Sequence, residues 1–439
     1  MNFKKGFGLL IAALIIAVIT TACGGDNESG SEDTKTITFM HQWTEGSSPQ
    51  QNKLLNEVID EYESENPGIT VETETYSAEQ YKEKLRVLAA SDKLPDVGQG
   101  WPGGWLKPFA TGGKFAPLDD VIDEEFSNKF VDGTLETFEV DGKTYSLPYE
   151  LNITMMFYNK EIFNEYGLEK PTTLEELKNV VTVLNENDVT PIALGNKDRW
   201  TGSIYYMYLA DRIGGSEKIV NAVNRETSFE DPALTQAAEE IQNLVEMDAF
   251  PQGTNAMGNL EAEGMFMNGQ AAMYLTATWS LPNFTTNEDI PQEFRDNVDY
   301  FKFPNVEDGE GDSNSFVGGS GGMFVAENSD VKEEAKQFVK FYVEKLAEKS
   351  LSGAGIMPAM KSDTANVELP DLYVQVLEDL NNASGITLFA DNLMNTSTAE
   401  EHLNAIQALF GLEMTPEEFV ELHEESLEQQ AQSNEEAFE

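Results

Sequence analysis

The first part of the chain alternates between short segments with strand periodicity and longer segments with helical periodicity. Residues 36–40 (TITFM) alternate polar and apolar side chains, which predicts a β-strand. Apolar side chains recur at helical spacing through residues 54–62, and residues 69–71 (ITV) form a second strand pattern after Asn66-Pro67-Gly68. A strand, a helix and a further strand in this order predict a parallel sheet with crossover helices, and therefore an α/β fold.

The same alternation continues further along the chain. Residues 77–80 (SAEQ) fit a capping box before the next helix, and residues 95–97 (PDV) open another strand. Asp141-Gly142 predicts a hairpin turn before a long apolar strand that ends near Tyr158. Residues 173–176 (TLEE) fit a second capping box.

Further helices are predicted after residue 200. Helical spacing predicts helices over residues 204–213, 232–247, 261–268 and 331–347. Helical patterns dominate from Tyr373 onward, where residues 415–418 (TPEE) combine a capping box with proline at the first helical position. We therefore expect a helical carboxyl-terminal region.

The apolar segment near the amino terminus differs from all the later ones. Residues 9–19 are apolar or small, follow Lys4 and Lys5, and end at residues 20–25 (TTACGG), which contain the only cysteine. This segment is shorter than the roughly 18 to 20 residues of a membrane span, and its layout is typical of a lipoprotein export signal. We expect Cys23 to become the acylated first residue, anchored at the outer face of the cell membrane. A short anchor helix is the alternative, and both place the bulk of the chain outside the cytoplasm.

The composition indicates a large globular body with an unusually acidic surface. Forty per cent of the residues are hydrophobic, which suffices for more than one core in a chain of this length. The 78 acidic and 28 basic residues give a net charge of −50, which argues against nucleic-acid binding because that binding depends on basic patches. Acids spread this widely are typical of a solvated surface, and high salt would screen their repulsion. We therefore hypothesise a salt-tolerant or halophilic source.

The sequence predicts neither a metal site nor a cofactor. His41, His402 and His423 are too scattered for a zinc cluster, and the acidic loop 305–314 lacks the spacing of a calcium loop. The single cysteine excludes a disulfide within the chain. Phosphate-loop, HExxH and CxxC motifs are absent from the sequence.

One segment formally matches a hydrolase motif. Residues 318–322 (GGSGG) satisfy the GxSxG pattern of a nucleophile elbow, and His402 follows in the chain order of a triad. An elbow requires a helix directly after the serine, whereas Ser320 precedes the strand-like residues 323–325. We favour a backbone role, in which small residues let the main chain approach a ligand or bend between lobes.

The tryptophans are the stronger indication of a binding function. Trp43, Trp101, Trp200 and Trp279 each lie where a predicted strand or helix gives way to a loop. Aromatic faces beside hydrogen-bonding side chains suit sugars, which stack through their C–H faces and pair through their hydroxyls. Ordinary packing is the alternative for each, and we favour it for Trp105.

Three segments resemble a known family. Residues 266–273 (FMNGQAAM) with the trailing Trp279 are similar to the F-x-x-G-x-x-A-M segment of carbohydrate-binding proteins of ABC importers. Residues 147–160 resemble the crossover strand of these proteins, and residues 95–97 their P-D-[VI] strand. Together they resemble the family 1 extracellular solute-binding proteins, the maltose-binding protein class. The resemblance implies a type II periplasmic-binding-protein fold, with two α/β lobes joined by a hinge of two or three crossing segments.

The resemblance also gives expected boundaries along the chain. These are a signal peptide (1–22), an acidic tether (23–35), the first part of the amino-terminal lobe (36–150), the carboxyl-terminal lobe (151–318), the second part of the amino-terminal lobe (319–365), and helices returning across the lobes (366–439).

Several binding residues follow from matched motif positions. Trp43 and Glu45 match the loop after the first strand, Trp101 an aromatic position after P-D-[VI], and Trp279 the stacking tryptophan after A-M. Trp200 matches no motif and rests on its chemistry alone.

The crossing segments contribute a further set. Tyr149 belongs to the crossover motif, where the family often has an acidic residue, and either Glu150 or Asn152 is expected to face the ligand. Gly319 and Ser320 match the returning crossover, whose main chain meets the ligand.

Together these observations predict a membrane-anchored, monomeric and non-catalytic receptor that captures a sugar between two lobes and delivers it to an ABC permease. Three alternatives remain open. One is a secreted hydrolase that uses Ser320 or a carboxylate pair. Another is a sensor that presents its closed form to a membrane kinase, and the third is a receptor for peptides or polyamines.

Overall fold

The computed structural model describes residues 34–353, 356–361 and 367–432. The predicted signal peptide, Cys23 and most of the tether lie outside these residues. The strands are β1 (Lys35–His41), β2 (Ile69–Thr75), β3 (Val97–Gly100), β4 (Glu139–Val140), β5 (Lys143–Thr144), β6 (Leu147–Asn159), β7 (Thr190–Ala193), β8 (Ala271–Ala277), β9 (Val298–Phe301), β10 (Ser315–Val325) and β11 (Gly385–Leu388).

The α-helices alternate with these strands and then dominate the end of the chain. They are α1 (Pro49–Glu65), α2 (Ala78–Ala90), α3 (Leu106–Thr111), α4 (Glu124–Ser127), α5 (Lys160–Glu165), α6 (Leu174–Glu186), α7 (Trp200–Gly214), α8 (Glu217–Val223), α9 (Pro232–Glu246), α10 (Asn259–Met267), α11 (Leu281–Thr285), α12 (Gln292–Asn297), α13 (Lys332–Gly353), α14 (Asp371–Asn381), α15 (Ala390–Leu393), α16 (Thr396–Phe410) and α17 (Pro416–Gln432). None of these helices is both long enough and apolar enough to cross a membrane.

Local sequence signals mark the starts of two helices. Thr173 and Glu176 form both halves of the predicted capping box at the start of α6. Thr415 and Glu418 exchange the same two hydrogen bonds at the start of α17. Helix α2 begins where expected, directly after Ser77. The predicted capping box does not form there, since the Ser77 side chain makes no capping hydrogen bond.

Two long strands connect the halves of the sheet. The nine-stranded sheet has the order β2-β1-β3-β10-β6-β8-β7, with β11 on β10 and β9 on β6. The first half of β6 pairs with β10 up to Ile153, whereas its second half, from Thr154, pairs with β8 and β9. The carboxyl-terminal end of β10 pairs with β3, and its amino-terminal end pairs with β11. Strands β6 and β10 therefore run from one lobe into the other.

Each lobe has its own hydrophobic core. In the lobe built on β1, β2 and β3, helices α1 and α13 pack together around Phe39, Leu55 and Phe338. In the other lobe, α6, α7 and α9 pack around Leu177, Tyr206 and further apolar side chains. The protein is thus the two-lobed α/β fold that the sequence predicted, while the exact lobe boundaries remain a prediction.

The carboxyl-terminal helices connect with both lobes. Helices α16 and α17 pack on α7 and α9 of the second lobe. The short segment around α15 also contacts the first lobe, because the backbone N–H of Gly104 donates to the Asn392 carbonyl over 2.6 Å. This segment is a third connection beside β6 and β10.

Candidate ligand-binding cleft

A cavity of about 570 Å³ lies between the two lobes, and we call it the cleft. One wall consists of the loops after β1 and β3 and the first turn of α2. The opposite wall consists of the first turns of α7 and α10 and the segment after β8, and β6 and β10 form the base. Loops at the carboxyl ends of strands and the starts of helices meet here, which is where α/β folds usually bind ligands.

Eight of the ten predicted binding residues line the cleft. They are Trp43, Trp101, Glu150, Asn152, Trp200, Trp279, Gly319 and Ser320. The sequence left open whether Glu150 or Asn152 faces inward, and both do. Residues two apart on a strand point to the same face, so Leu151 between them points the other way.

Glu45 and Tyr149 do not line the cleft. Glu45 is exposed to solvent, and its neighbours Thr44 and Gly46 take the place at the wall. Tyr149 is buried beneath the wall, where its ring meets Trp43 edge-on at a centroid distance of 5.3 Å. The tyrosine hydroxyl accepts a hydrogen bond from Gln99 over 3.2 Å, so Tyr149 supports Trp43 rather than facing the cavity.

The tryptophans differ in how much ring surface they offer. Trp43 is only 5% exposed, whereas Trp101, Trp200 and Trp279 are partly exposed at the cavity wall. Trp200 and Trp279 meet at 79° with centroids 5.6 Å apart, which forms an aromatic corner. Trp105 packs in the core behind Trp101, as the sequence predicted. Partly exposed faces allow a ligand to stack, and buried rings do not.

Glu150 is a buried carboxyl group at the base of the cleft. It is 9% exposed, and burial raises its pKa to about 7 although Tyr149 and Asn152 donate hydrogen bonds that lower it. Asn152 is held in place because its side-chain oxygen accepts from the Thr278 hydroxyl over 2.8 Å. The base of the cleft therefore carries one carboxyl and one amide in fixed positions.

Further polar residues line the cleft that the sequence did not single out. They include Gln51, Lys82, Asp198, Asn259 and Glu263. Most lie in or beside the first turn of a helix, and the general rule that ligands bind where strands end and helices begin is the signal that could have found them. Glu263 lies on α10, the helix of the recognised FMNGQAAM segment, and burial raises the pKa of its carboxyl group.

The cleft is strongly acidic. Five carboxyl side chains line it, and Lys82 is the one cationic side chain among the lining residues. The carboxyl side chains are Glu79, Glu150, Asp198, Glu263 and Asp391. The Lys82 ammonium lies 3.6 Å from Asp391 and 5.1 Å from the centroid of the Trp101 ring. The potential in the cleft therefore favours neutral or cationic ligands over anions.

The two walls also contact each other directly. The side-chain amide of Gln51, on the first lobe, donates to the backbone carbonyl of Trp279, on the second, over 3.3 Å. Such contacts between lobes are the kind that form and break when a hinge closes and opens.

The structure separates the two residues of the possible hydrolase. Ser320 lies within β10 and donates its hydroxyl proton to the Glu150 carbonyl over 2.5 Å. His402 instead contacts Ser203 and His423, each over 2.7 Å. Ser320 and His402 therefore do not form a dyad. Strand β10 continues after Ser320, whereas a nucleophile elbow requires a helix at that point.

A second cavity, of about 650 Å³, lies on the opposite face of the crossing strands. Leu151, Met357 and Ile386 contribute to its wall, and it contains none of the tryptophans. The cleft is the better candidate for a binding site because it combines aromatic faces with convergent polar groups.

Comparison with known proteins agrees with this architecture. A multiple sugar-binding protein of Streptococcus mutans is 26% identical over 352 residues, which cover 78% of this chain and 79% of the relative. A solved structure from work on xylan utilization by Caldanaerobius polysaccharolyticus superposes with a TM-score of 0.84 at 29% identity, covering 89% of this chain and 99% of that one. A chitin oligosaccharide binding protein gives a TM-score of 0.84 at 26% identity, covering 91% of this chain and 100% of that one.

A comparison with protein-family models finds a match over most of the chain. The sequence model of the bacterial extracellular solute-binding proteins matches residues 46–347, a range that includes both crossing strands and four of the five tryptophans. The chain belongs to the bacterial extracellular solute-binding protein family.

Proposed function

We propose that this protein is a non-catalytic receptor that binds a mono- or oligosaccharide in the cleft. The observation that carries the proposal is the set of partly exposed rings of Trp101, Trp200 and Trp279 beside the fixed polar groups of Glu150 and Asn152. Aromatic faces stack on the C–H faces of a sugar ring, while carboxyl and amide groups pair with its hydroxyls. The names of the relatives, which refer to multiple sugars, xylan utilization and chitin oligosaccharides, support this class of ligand.

The role in transport is a further part of the proposal. Cys23 would carry the lipid anchor, the acidic residues after it would act as a tether, and the two lobes would present the ligand to an ABC permease as a monomer. The permease would distinguish the liganded, closed form from the open form, because the ligand stabilises closure by its difference in affinity for the two.

The first experiment is a titration of the soluble protein that begins after Cys23. Xylotriose, chitotriose, galactose and maltotriose are added at high salt, and tryptophan fluorescence is followed. We expect saturable binding of at least one sugar, with no product formed on prolonged incubation. No fluorescence change with any of these sugars would contradict a sugar receptor. Release of shorter sugars would instead support the alternative of a secreted hydrolase.

A second candidate ligand follows from the charge of the cleft. The carboxyl groups outnumber the single Lys82 ammonium five to one, so a ligand that carries an amine would gain electrostatic free energy, although the raised pKa of Glu150 reduces its negative charge near neutral pH. Spermidine and glucosamine test this candidate, with N-acetylglucosamine as the neutral control. Stronger binding of the amines, weakened by added salt, would favour this candidate over a neutral sugar.

The anchor and the partner need separate tests. Cys23→Ala should move the protein from the membrane fraction to the medium if the lipid is the anchor. Capture of the tethered protein after crosslinking in the presence of its sugar should recover permease subunits. Recovery of a membrane kinase would favour the sensor instead.

A further inference from the structure

A chain of hydrogen bonds runs from the cleft wall into the core of the second lobe. Ser203, in the first turns of α7, lines the cleft and is 4% exposed. Its hydroxyl lies 2.7 Å from Nε2 of His402, and Nδ1 of His402 lies 2.7 Å from Nε2 of His423. Nδ1 of His423 lies 2.6 Å from the Phe419 carbonyl oxygen. Both histidines are buried, at 0% and 1% exposed.

The Phe419 carbonyl determines the position of every proton in this chain. A carbonyl oxygen only accepts, so Nδ1 of His423 must donate to it. A neutral imidazole has one N–H, so Nε2 of His423 accepts, and Nδ1 of His402 must be its donor. Nε2 of His402 is then an acceptor as well, and among the residues that the structure describes the Ser203 hydroxyl is the group placed to donate to it.

The surroundings keep both imidazoles neutral. The ring of Phe229 stacks on His423 with centroids 4.5 Å apart, and the Phe419 ring lies 4.3 Å away. Burial lowers the pKa of His423 to about 4 and holds the pKa of His402 well below its usual value. A pair this weakly basic is poorly suited to take a proton from serine in catalysis, so the chain of bonds is suited to positioning.

We propose that Ser203 is a specificity-determining residue of the cleft, held by His402 and His423 so that it offers the ligand only lone pairs. The Ser203 proton is committed to His402, so the oxygen can accept a hydrogen bond from the ligand but cannot donate one. The site would therefore select a ligand with an O–H or N–H at this position and reject one with only an acceptor there. This inference rests on the proposed function, since the donor would be a sugar hydroxyl.

The direction of the protons can be tested without any ligand. We expect ¹⁵N NMR of the histidine-labelled soluble protein to show both His402 and His423 in the Nδ1–H tautomer, with the two Nε2 atoms unprotonated. A proton on Nε2 of His402 would overturn the inference, because that imidazole would then donate to Ser203.

The binding consequence is tested with xylotriose and chitotriose. We expect Ser203→Ala to weaken the trisaccharide that binds by about three- to tenfold, the usual range for one neutral hydrogen bond. A scan of its deoxyfluoro analogues, each with one hydroxyl replaced by a group that cannot donate, should contain one analogue with the same loss. That analogue should lose nothing further in Ser203→Ala, whereas unchanged affinity in Ser203→Ala overturns the proposal.

Two variants separate positioning from a structural role. In His423→Phe, His402 can adopt the Nε2–H tautomer and donate to Ser203, so the serine proton turns to the cleft. The deoxyfluoro analogue should then lose its penalty relative to the parent sugar, while the parent sugar keeps most of its affinity because its hydroxyl can accept as well as donate. Ser426→Ala is the matched control, since Ser426 lies in the same α16–α17 contact and its hydroxyl donates to Thr398 over 3.1 Å. An equal loss of the analogue's penalty in Ser426→Ala would show a structural effect and overturn the proposal.

The failure of the sugar proposal is distinguishable from the failure of this one. If neither trisaccharide binds the wild-type protein, the proposed function is what fails. The NMR tautomers then still decide whether the Ser203 proton is committed to His402.

Discussion

The same side-chain type has different uses at different positions of the cleft. Trp279 presents a partly exposed face and is held by the rings of Trp200 and Phe389, with centroids 5.6 and 5.9 Å away. Trp43 is buried against Tyr149 and shapes the wall without offering a free face. Burial, which is a property of the position, decides whether an aromatic ring stacks on a ligand or packs in the wall.

Trp279 gives the first prediction at this scale. Trp279→Ala should weaken sugar binding by at least about tenfold, close to 1.4 kcal/mol, because an aromatic anchor in the centre of a site contributes strongly. Trp279→Phe should keep most of the affinity, since a ring remains. Fluorescence or calorimetric titration measures both, and equal affinity of all three proteins would contradict a stacking role.

Glu150 gives a prediction about pH. Its folded-state pKa of about 7 lies above the ordinary value of 4.5, so the folded protein binds this proton more tightly than the unfolded chain does. The contribution of Glu150 to the free energy of unfolding therefore falls as pH rises from about 4.5 to 7, by up to about 3 kcal/mol, and is constant above that. Glu150→Gln removes the dependence, so its stability relative to wild type should increase from pH 5 to pH 8 in urea unfolding. A difference that does not change with pH would contradict the raised pKa.

The packing around the crossing strand β10 requires small residues in the glycine-rich segment 318–322. A Cβ on Gly318 would lie 2.1 Å from the Asn152 carbonyl oxygen on β6, and one on Gly322 would lie 2.4 Å from the Phe138 ring. Strand β10 thus lies against β6 at Gly318 and against the Phe138 ring at Gly322, too closely for a side chain at either position. The segment matches a hydrolase motif by composition, but its small residues are required by packing.

Gly318→Ala tests this packing directly. It should lower the free energy of unfolding by about 1–3 kcal/mol or more, because a backbone oxygen cannot move aside as a flexible side chain can. Gly264→Ala is the control, since a Cβ there meets nothing within 4 Å and α10 should gain up to about 1 kcal/mol from alanine. Chemical denaturation measures both, and a neutral Gly318→Ala would show that the strands have room to separate.

The whole molecule is defined by its two lobes, its cleft and its charge. The net charge of −50 is spread over a surface with few basic partners. Mutual repulsion among these carboxylates opposes the compact state, and dissolved ions screen it. The hypothesis of a salt-tolerant source belongs to this scale, since no single residue carries it.

Salt should therefore stabilise the protein. We expect the Tm to rise, on the order of 5 °C, when KCl is increased from about 0.05 M to about 2 M at pH 7. The rise should be much smaller at pH 4, where many carboxylates are protonated and less repulsion remains. An unchanged Tm at pH 7 would contradict the hypothesis.

The sequence by itself determined the α/β alternation, the approximate positions of several helices and strands, and the family. Periodicity, capping boxes at Thr173 and Thr415 and the FMNGQAAM segment act locally, and local patterns are readable without the fold. Eight of the ten residues that the sequence predicted to bind the ligand line the cleft. The local patterns could not show that Glu45 points into solvent, because a shift of one residue along the loop decides which side chain lines the cleft wall.

Only the tertiary structure decided which distant residues meet. It paired His402 with Ser203 rather than Ser320, and it collected Gln51, Asp198 and Glu263 at one cavity although they are more than 200 residues apart at the extremes. It also left Ser77 at the cleft wall without its capping bond. Contacts between residues far apart in sequence depend on how the lobes fold and how the crossing strands join them, and no local spacing carries that information.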